Sequence, residues 1–183
     1  MFRCLAAEDM LDRFEQDGVA LRAGSDPRAL QRVLPLEDFS PDVRRSAMST
    51  LAAYLAFYCL ENSIRELITE RMTENHGSDW WNTKAPAGIR EKVAKRQEAE
   101  GDNRWHISRG AGDLYYTDFG DLKSILQSSW TDFSDLFPDQ NWVLSRMTEL
   151  EASRNIIAHM NPLDDRENGR LKLYLQDWTR QVG

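Results

Sequence analysis

The stretch "SRNIIAHMNP", Ser153 to Pro162, holds the side chains best suited to chemistry. A guanidinium presents a planar fork of donors that suits a carboxylate or another anion. An imidazole changes charge near neutral pH, and a carboxamide both donates and accepts hydrogen bonds. Arg154, Asn155 and His159 supply these three types in one short segment. Their register is unusual. At roughly 100° per residue, Val143, Met147, Leu150, Arg154 and Ile157 share one narrow helix face, so a guanidinium falls where a buried apolar side chain is expected. An arginine there needs a partner, a ligand or an interface.

Glu61 is the carboxylate best placed to be that partner, at the edge of the apolar stripe of a long helix and four residues before Arg65. Planar guanidinium and carboxylate match bidentately. On an ideal helix Arg154 and His159 point about 140° apart, whereas Asn155 and His159 share a face. Two arrangements bring Arg154 and His159 together: the helix loosens near Asn161-Pro162, or a second copy of the helix approaches across a two-fold axis. A purely structural arrangement is equally open, with Arg154 tied to Glu61 and His159 capping the helix C-terminus, where a cation suits the dipole.

Other standard catalytic sets mostly fail, although three histidines, at 76, 106 and 159, leave a Ser-His-Asp or Cys-His site open by count. No nucleophile elbow is present, and "ISRGAGDL" lacks the Lys-Ser/Thr and preceding strand of a phosphate loop. His76 with Asp79, and His106 with Asp102, are pairs without ligand spacing, so neither metal nor cofactor is expected. Trp80 and Trp81 read as a loop anchor in preference to a base-stacking platform. Arg90, Lys92, Lys95 and Arg96 form the most basic stretch, interleaved with Glu91, Glu98 and Glu100. They read first as a solvated face, and second as candidate RNA-binding residues through phosphate contacts.

These groups must be positioned by a chain of 183 residues, enough for one domain with a real core. The formal charge of −7 argues against coating duplex DNA with a broad basic face, though not against a small basic cleft. Cys4 and Cys59 fit no zinc or redox spacing and read as reduced thiols of a cytoplasmic protein. The N-terminus lacks the apolar core of a signal peptide. "LAAYLAFYCL", Leu51 to Leu60, is about half the ~20 residues a membrane-spanning helix needs, and is read as part of a buried central helix.

Helical signals dominate. Helices are predicted over Met1 to Ala23, over Pro27 to Leu34, and from Pro41, capped by Ser40, to about Glu74. A polar insertion from Trp80 to Ser108 holds one helix, Pro86 to Glu100, and little that would pack a core. "DLYYTDF" offers the one strand-like possibility. Helical periodicity returns in "DFGDLKSILQSSWTDFSDLF". A further helix runs from near Gln140 until Pro162 disfavours helix at Asn161. The last carries the stripe Leu171, Tyr174, Leu175, Trp178 and Val182. The expected fold is all-α, an antiparallel helical bundle with a charged, partly helical insertion. It forms a single domain in which residues 1–50 make an N-terminal helical extension.

Arg-Asn-x-x-x-His near the end of a helix, followed by an Asn-Pro-Leu turn and another helix, resembles the HEPN family of small helical-bundle domains, often dimeric ribonucleases. "ENSIRELI", "GSDWWNTKAPAGIREK", "YTDFGDLKSIL", "LEASRNIIAHMNPL" and "RLKLYLQDW" are similar to the HEPN branch found fused to PIN-type nuclease domains in transcript quality control and widespread in bacteria. The resemblance runs from about Ala53 to the C-terminus. It implies metal-independent cleavage of RNA at a homodimer cleft, in bacterial defence or toxin-type growth arrest, with a neutralising or activating protein partner. Arg154 would bind the scissile phosphate, His159 would act as general acid or base, and Asn155 would orient the catalytic groups or bond the RNA. Glu61 and Arg65 would support Arg154, an assignment that rests on spacing more than on the family. A non-catalytic HEPN module for RNA binding or protein association is the alternative. HEPN toxins paired with nucleotidyltransferase antitoxins carry a tyrosine two residues after the histidine. That position is Asn161 here, so control through such a tyrosine is not implied.

Overall fold

The computed structural model describes residues 36–102, 108–110 and 112–182. The helices predicted over Met1 to Ala23 and Pro27 to Leu34 lie outside the described residues, as do Cys4 and His106. Two compact units divide the chain, Met1–Ala52 and Ala53–Gly183. Described residues of the first hold a 3-10 turn at Leu36–Asp38 and the start of helix α1, Pro41–His76. Ser40 caps α1 as expected, its Oγ accepting from the Val43 N–H at 3.4 Å.

The second unit continues α1 and adds α2 (Trp80–Lys84), α3 (Ala87–Gly101), α4 (Phe119–Ser128), α5 (Gln140–Ala158) and α6 (Asp165–Val182). No strand occurs among the described residues, and the unit is all-α. The strand-like possibility at "DLYYTDF" is instead a 3-10 turn, Asp113–Tyr116. Asp118 then stops any extended run, because its carboxylate accepts from the Asp121 N–H and opens α4 with a capping box.

Contacts between helices fix their directions. Going down α5, Ser153 meets Glu167, Glu149 meets Tyr174, and Arg146 meets Asp177, so α5 and α6 are antiparallel. Lys123 reaches Glu151 at 2.8 Å, while the Gln140 side chain donates to the Gln127 carbonyl, so α4 and α5 are antiparallel too. Arg146 stacks over the Trp142 ring at 4.0 Å and the Tyr174 ring at 5.2 Å, bridging α5 and α6. Trp178 donates from Nε1 to Ser63 Oγ at 2.9 Å, tying α6 to α1.

Phe57, Leu60, Ile64, Leu67, Ile68 and Met72 of α1 are buried against Phe119, Leu122, Ile125, Phe133, Val143 and Met147. Two expectations need correction. The "LAAYLAFYCL" segment is not buried all round: Ala53, Ala56, Phe57 and Leu60 face the core, while Tyr54, Tyr58 and Cys59 are exposed. The charged insertion does pack a core, since Trp80, Ala85, Ile89 and Val93 are buried in it. Its apolar residues are few but fall on one side of α2 and α3, which periodicity in so polar a segment barely reveals. Trp80 and Trp81 meet edge to face at 5.6 Å, Trp80 buried and Trp81 packed on the core, the arrangement of a loop anchor. No described helix is long and apolar enough to cross a membrane.

Candidate active site

Val143, Met147, Leu150 and Ile157 of α5 are all buried, as the stripe predicts. Arg154 shares their register one turn before the helix ends, and its side chain keeps 33% exposure. Its Nε lies 3.5 Å from Glu61 Oε2 on α1. The other carboxylate oxygen, Oε1, accepts from Arg65 Nη2 at 2.5 Å. Glu61 is thus shared by two guanidinium groups, with side-chain exposures of 13% for Glu61 and 11% for Arg65. Arg65 uses all three of its nitrogens, donating also from Nε to the Leu114 carbonyl at 3.0 Å and from Nη1 to Asn62 Oδ1 at 3.4 Å. Among the described residues neither Nη of Arg154 makes a hydrogen bond.

The helix ends earlier than Asn161. Ala158 is its last residue, and His159 is the C-cap, with φ −90° and ψ 20°. Met160 has φ 60°, in the left-handed region. The Asn161 N–H then donates to the Ile156 carbonyl and the Met160 N–H to the Ile157 carbonyl, the paired bonds of a Schellman motif. Glycine usually occupies that left-handed position, and methionine there is strained. The Asn161 side chain donates to the His159 carbonyl at 2.9 Å. Asn155, Ile156, His159 and Met160 all face outward, Met160 with 88% exposure. Both elements of the structural arrangement, the Arg154–Glu61 pair and a histidine at the helix C-terminus, are present. They leave the imidazole and the far end of the guanidinium accessible.

Part of the basic stretch of the insertion is tied inward. Lys92 Nζ contacts Asp118 Oδ2 at 2.6 Å and Asp121 Oδ1 at 3.0 Å. Arg96 reaches Asp118 at 3.1 Å and donates to the Tyr116 carbonyl at 2.5 Å. Arg90 donates to the Ala85 carbonyl at 3.2 Å, and Lys95 is exposed. Burial pushes the Asp118 carboxyl up. Hydrogen bonds from Lys92, the Asp121 backbone and Arg96 outweigh that and hold it well below the usual carboxylate range. Two of the four candidate RNA-binding cations therefore clamp α3 onto the start of α4. His76 and Asp79 are not brought together: His76 Nε2 lies 3.0 Å from both oxygens of Asp132, and Asp79 accepts from the Asn82 amide at 2.6 Å.

Two features escaped the sequence reading. Ser153 is buried and hydrogen-bonded to Glu167, locking α5 to α6 one residue before Arg154. Tyr115 lies beside Arg65, with the guanidinium carbon 5.7 Å from the ring centre. Within "DLYY" only the doubled tyrosine hinted at it.

The family described as Swt1-like HEPN matches residues 55–183, more than half of the chain. This chain belongs to the HEPN family. No curated protein and no solved structure matches it. The HEPN match contains Glu61, Arg65, Arg154, Asn155 and His159 together with the helices that hold them, α2 to α6 in full and most of α1.

Proposed function

We propose that this HEPN chain is a metal-independent endoribonuclease working at a homodimer cleft. One observation carries the reading: Arg154 is held from behind by Glu61 through Nε, which leaves its two terminal nitrogens for an anion, beside an accessible Asn155 and His159. Arg154 binds the scissile phosphate and stabilises its growing charge. Glu61 and Arg65 keep it oriented. His159 takes the proton of the RNA 2′-hydroxyl, whose oxygen attacks phosphorus; the bond to the 5′-oxygen breaks, and that oxygen takes a proton from water to leave a hydroxyl. Asn155 lies one turn before His159 and hydrogen-bonds the substrate or the imidazole. The products are a 2′,3′-cyclic phosphate end and a 5′-hydroxyl end.

The setting we propose is that of the PIN-associated HEPN branch in bacteria: defence or toxin-type growth arrest in the cytoplasm, with a neutralising or activating protein partner. A second reading draws on the exposed Ile156 and Met160 flanking His159, an apolar rim suited to association, and makes the chain a non-catalytic HEPN module. Incubating the purified protein with total cellular RNA, beside a His159→Ala control, separates the two. Cleavage by wild type alone, unaffected by EDTA and yielding cyclic phosphate ends, supports the enzyme. RNA that is bound but uncut by both proteins supports the module. Cleavage that stops with chelator and returns with magnesium overturns the mechanism.

A further inference from the structure

Tyr115 is a large aromatic side chain left 43% exposed in a turn whose neighbours on either side, Leu114 and Tyr116, are buried. Its position is fixed from several directions. Arg65 donates to the Leu114 carbonyl, and its guanidinium carbon lies over the Tyr115 ring, 5.7 Å from the ring centre. Hydrogen bonds to Glu61, Asn62 and the Leu114 carbonyl hold that guanidinium in place beside the ring. Gly110 presses on the ring from elsewhere: a Cβ there would fall 2.5 Å from Tyr115 Cγ and 2.9 Å from its Cβ. The loop and the turn thus meet closely only because residue 110 lacks a side chain. The same Arg65 holds Glu61, and Glu61 holds Arg154.

A ring clamped this firmly yet left open to solvent is poor value as core, since its burial is incomplete. It is well built as a platform, because it does not have to be ordered when a ligand arrives. Every nucleobase offers a flat face to such a ring. We infer that Tyr115 stacks a base of the RNA strand next to the phosphate held by Arg154, making it a binding residue of the same site. This rests on the RNA-cleaving reading above and adds to it a base subsite. The link through Arg65 and Glu61 also sets the platform and the phosphate-binding arginine in one rigid frame.

The test uses the full chain carrying His159→Ala, so that RNA is bound without being cut, and a short fluorescein-labelled single-stranded oligoribonucleotide of mixed sequence, read by anisotropy. Adding Tyr115→Leu should weaken binding by about tenfold, while Tyr115→Phe, which keeps the ring, should stay within about twofold. In the otherwise unmodified enzyme, Tyr115→Leu should raise KM with little change in kcat, the signature of binding that ground and transition states share. Should Tyr115→Leu unfold, Gly110→Ala provides the second variant, displacing the ring without removing it, and should weaken binding in the same direction. Unchanged affinity in a folded Tyr115→Leu or Gly110→Ala protein would overturn the subsite while leaving the ribonuclease reading intact. A loss in Tyr115→Phe equal to that in Tyr115→Leu would overturn stacking. If the His159→Ala protein binds no RNA at all, the subsite and the ribonuclease reading fall together.

Discussion

Glu61 is shared unequally, and the inequality decides what each substitution does. Its pair with Arg65 is short and nearly buried, whereas Arg154 approaches only through Nε at 3.5 Å and is one-third exposed. Removing Arg154 leaves the carboxylate still paired. Arg154→Ala should therefore cost no more than about 1 kcal/mol of stability, as for a surface pair, while lowering RNA cleavage at least ~10²-fold. His159→Ala, at an exposed cap, should behave likewise. Arg65→Ala should instead destabilise by roughly 3 kcal/mol, since it strips partners from Glu61, Asn62 and the Leu114 carbonyl together. Thermal melts of the three variants check the order, and an Arg65→Ala protein that melts like wild type would refute it. The sequence made the Arg154–Glu61 pair legible because a charge in an apolar register demands a partner. It hid the standing of Arg65, because an i,i+4 pair looks the same on a helix whether solvent or a neighbouring turn covers it.

At the level of elements, α5 and the α3–α4 junction show where periodicity runs out. Pro162 correctly announced the end of α5, but the stop falls three residues before Asn161, at Ala158, because Met160 turns left-handed. Nothing about a methionine predicts that conformation. Met160→Gly should relieve the strain and stabilise the protein by about 1 kcal/mol, measurable as a raised denaturation midpoint; a lowered one would show that the exposed methionine packs on something. Lys92 and Arg96 of α3 read as solvated because their sequence neighbours are glutamates, whereas the fold supplies Asp118 and Asp121 from the next helix; Lys95 is exposed as read. That clamp has a pH signature. The Asp118 carboxyl is depressed in the folded chain, so its stabilisation is full above the ordinary carboxylate pKa of about 4 and is lost as pH falls further. For Lys92, desolvation lowers the pKa, but the hydrogen bonds to Asp118 and Asp121 prevail and raise it, so its share persists up to the ordinary lysine range and fades above it. Melting temperature should drop between about pH 4 and pH 2 in wild type, and drop less steeply in Asp118→Asn. Equal slopes would remove Asp118 from the account.

For the whole molecule the open geometry is the angle between Arg154 and His159. Arg154 leans toward α1 and Glu61, while His159 points outward from the helix end with Ile156 and Met160 exposed around it. If a second copy packs on that rim, the arginine of one chain and the histidine of the other can serve one phosphate, and the dimer holds two such composite sites. Light scattering should then give twice the chain mass of 21.2 kDa. A sharper consequence follows from mixing. Arg154→Ala and His159→Ala proteins are each inactive alone, but a dimer containing one of each keeps one site intact, with Arg154 from one chain and His159 from the other. Co-refolded at equal amounts, half the dimers are mixed and each has one working site of two, so activity should return to about a quarter of wild type. Sites built within single chains give no return at all, because every site in the mixed dimer lacks one group. Recovery of cleavage on mixing would thus locate the site at the two-fold axis, and persistent inactivity in a mixture shown to exchange subunits would place it inside one protomer.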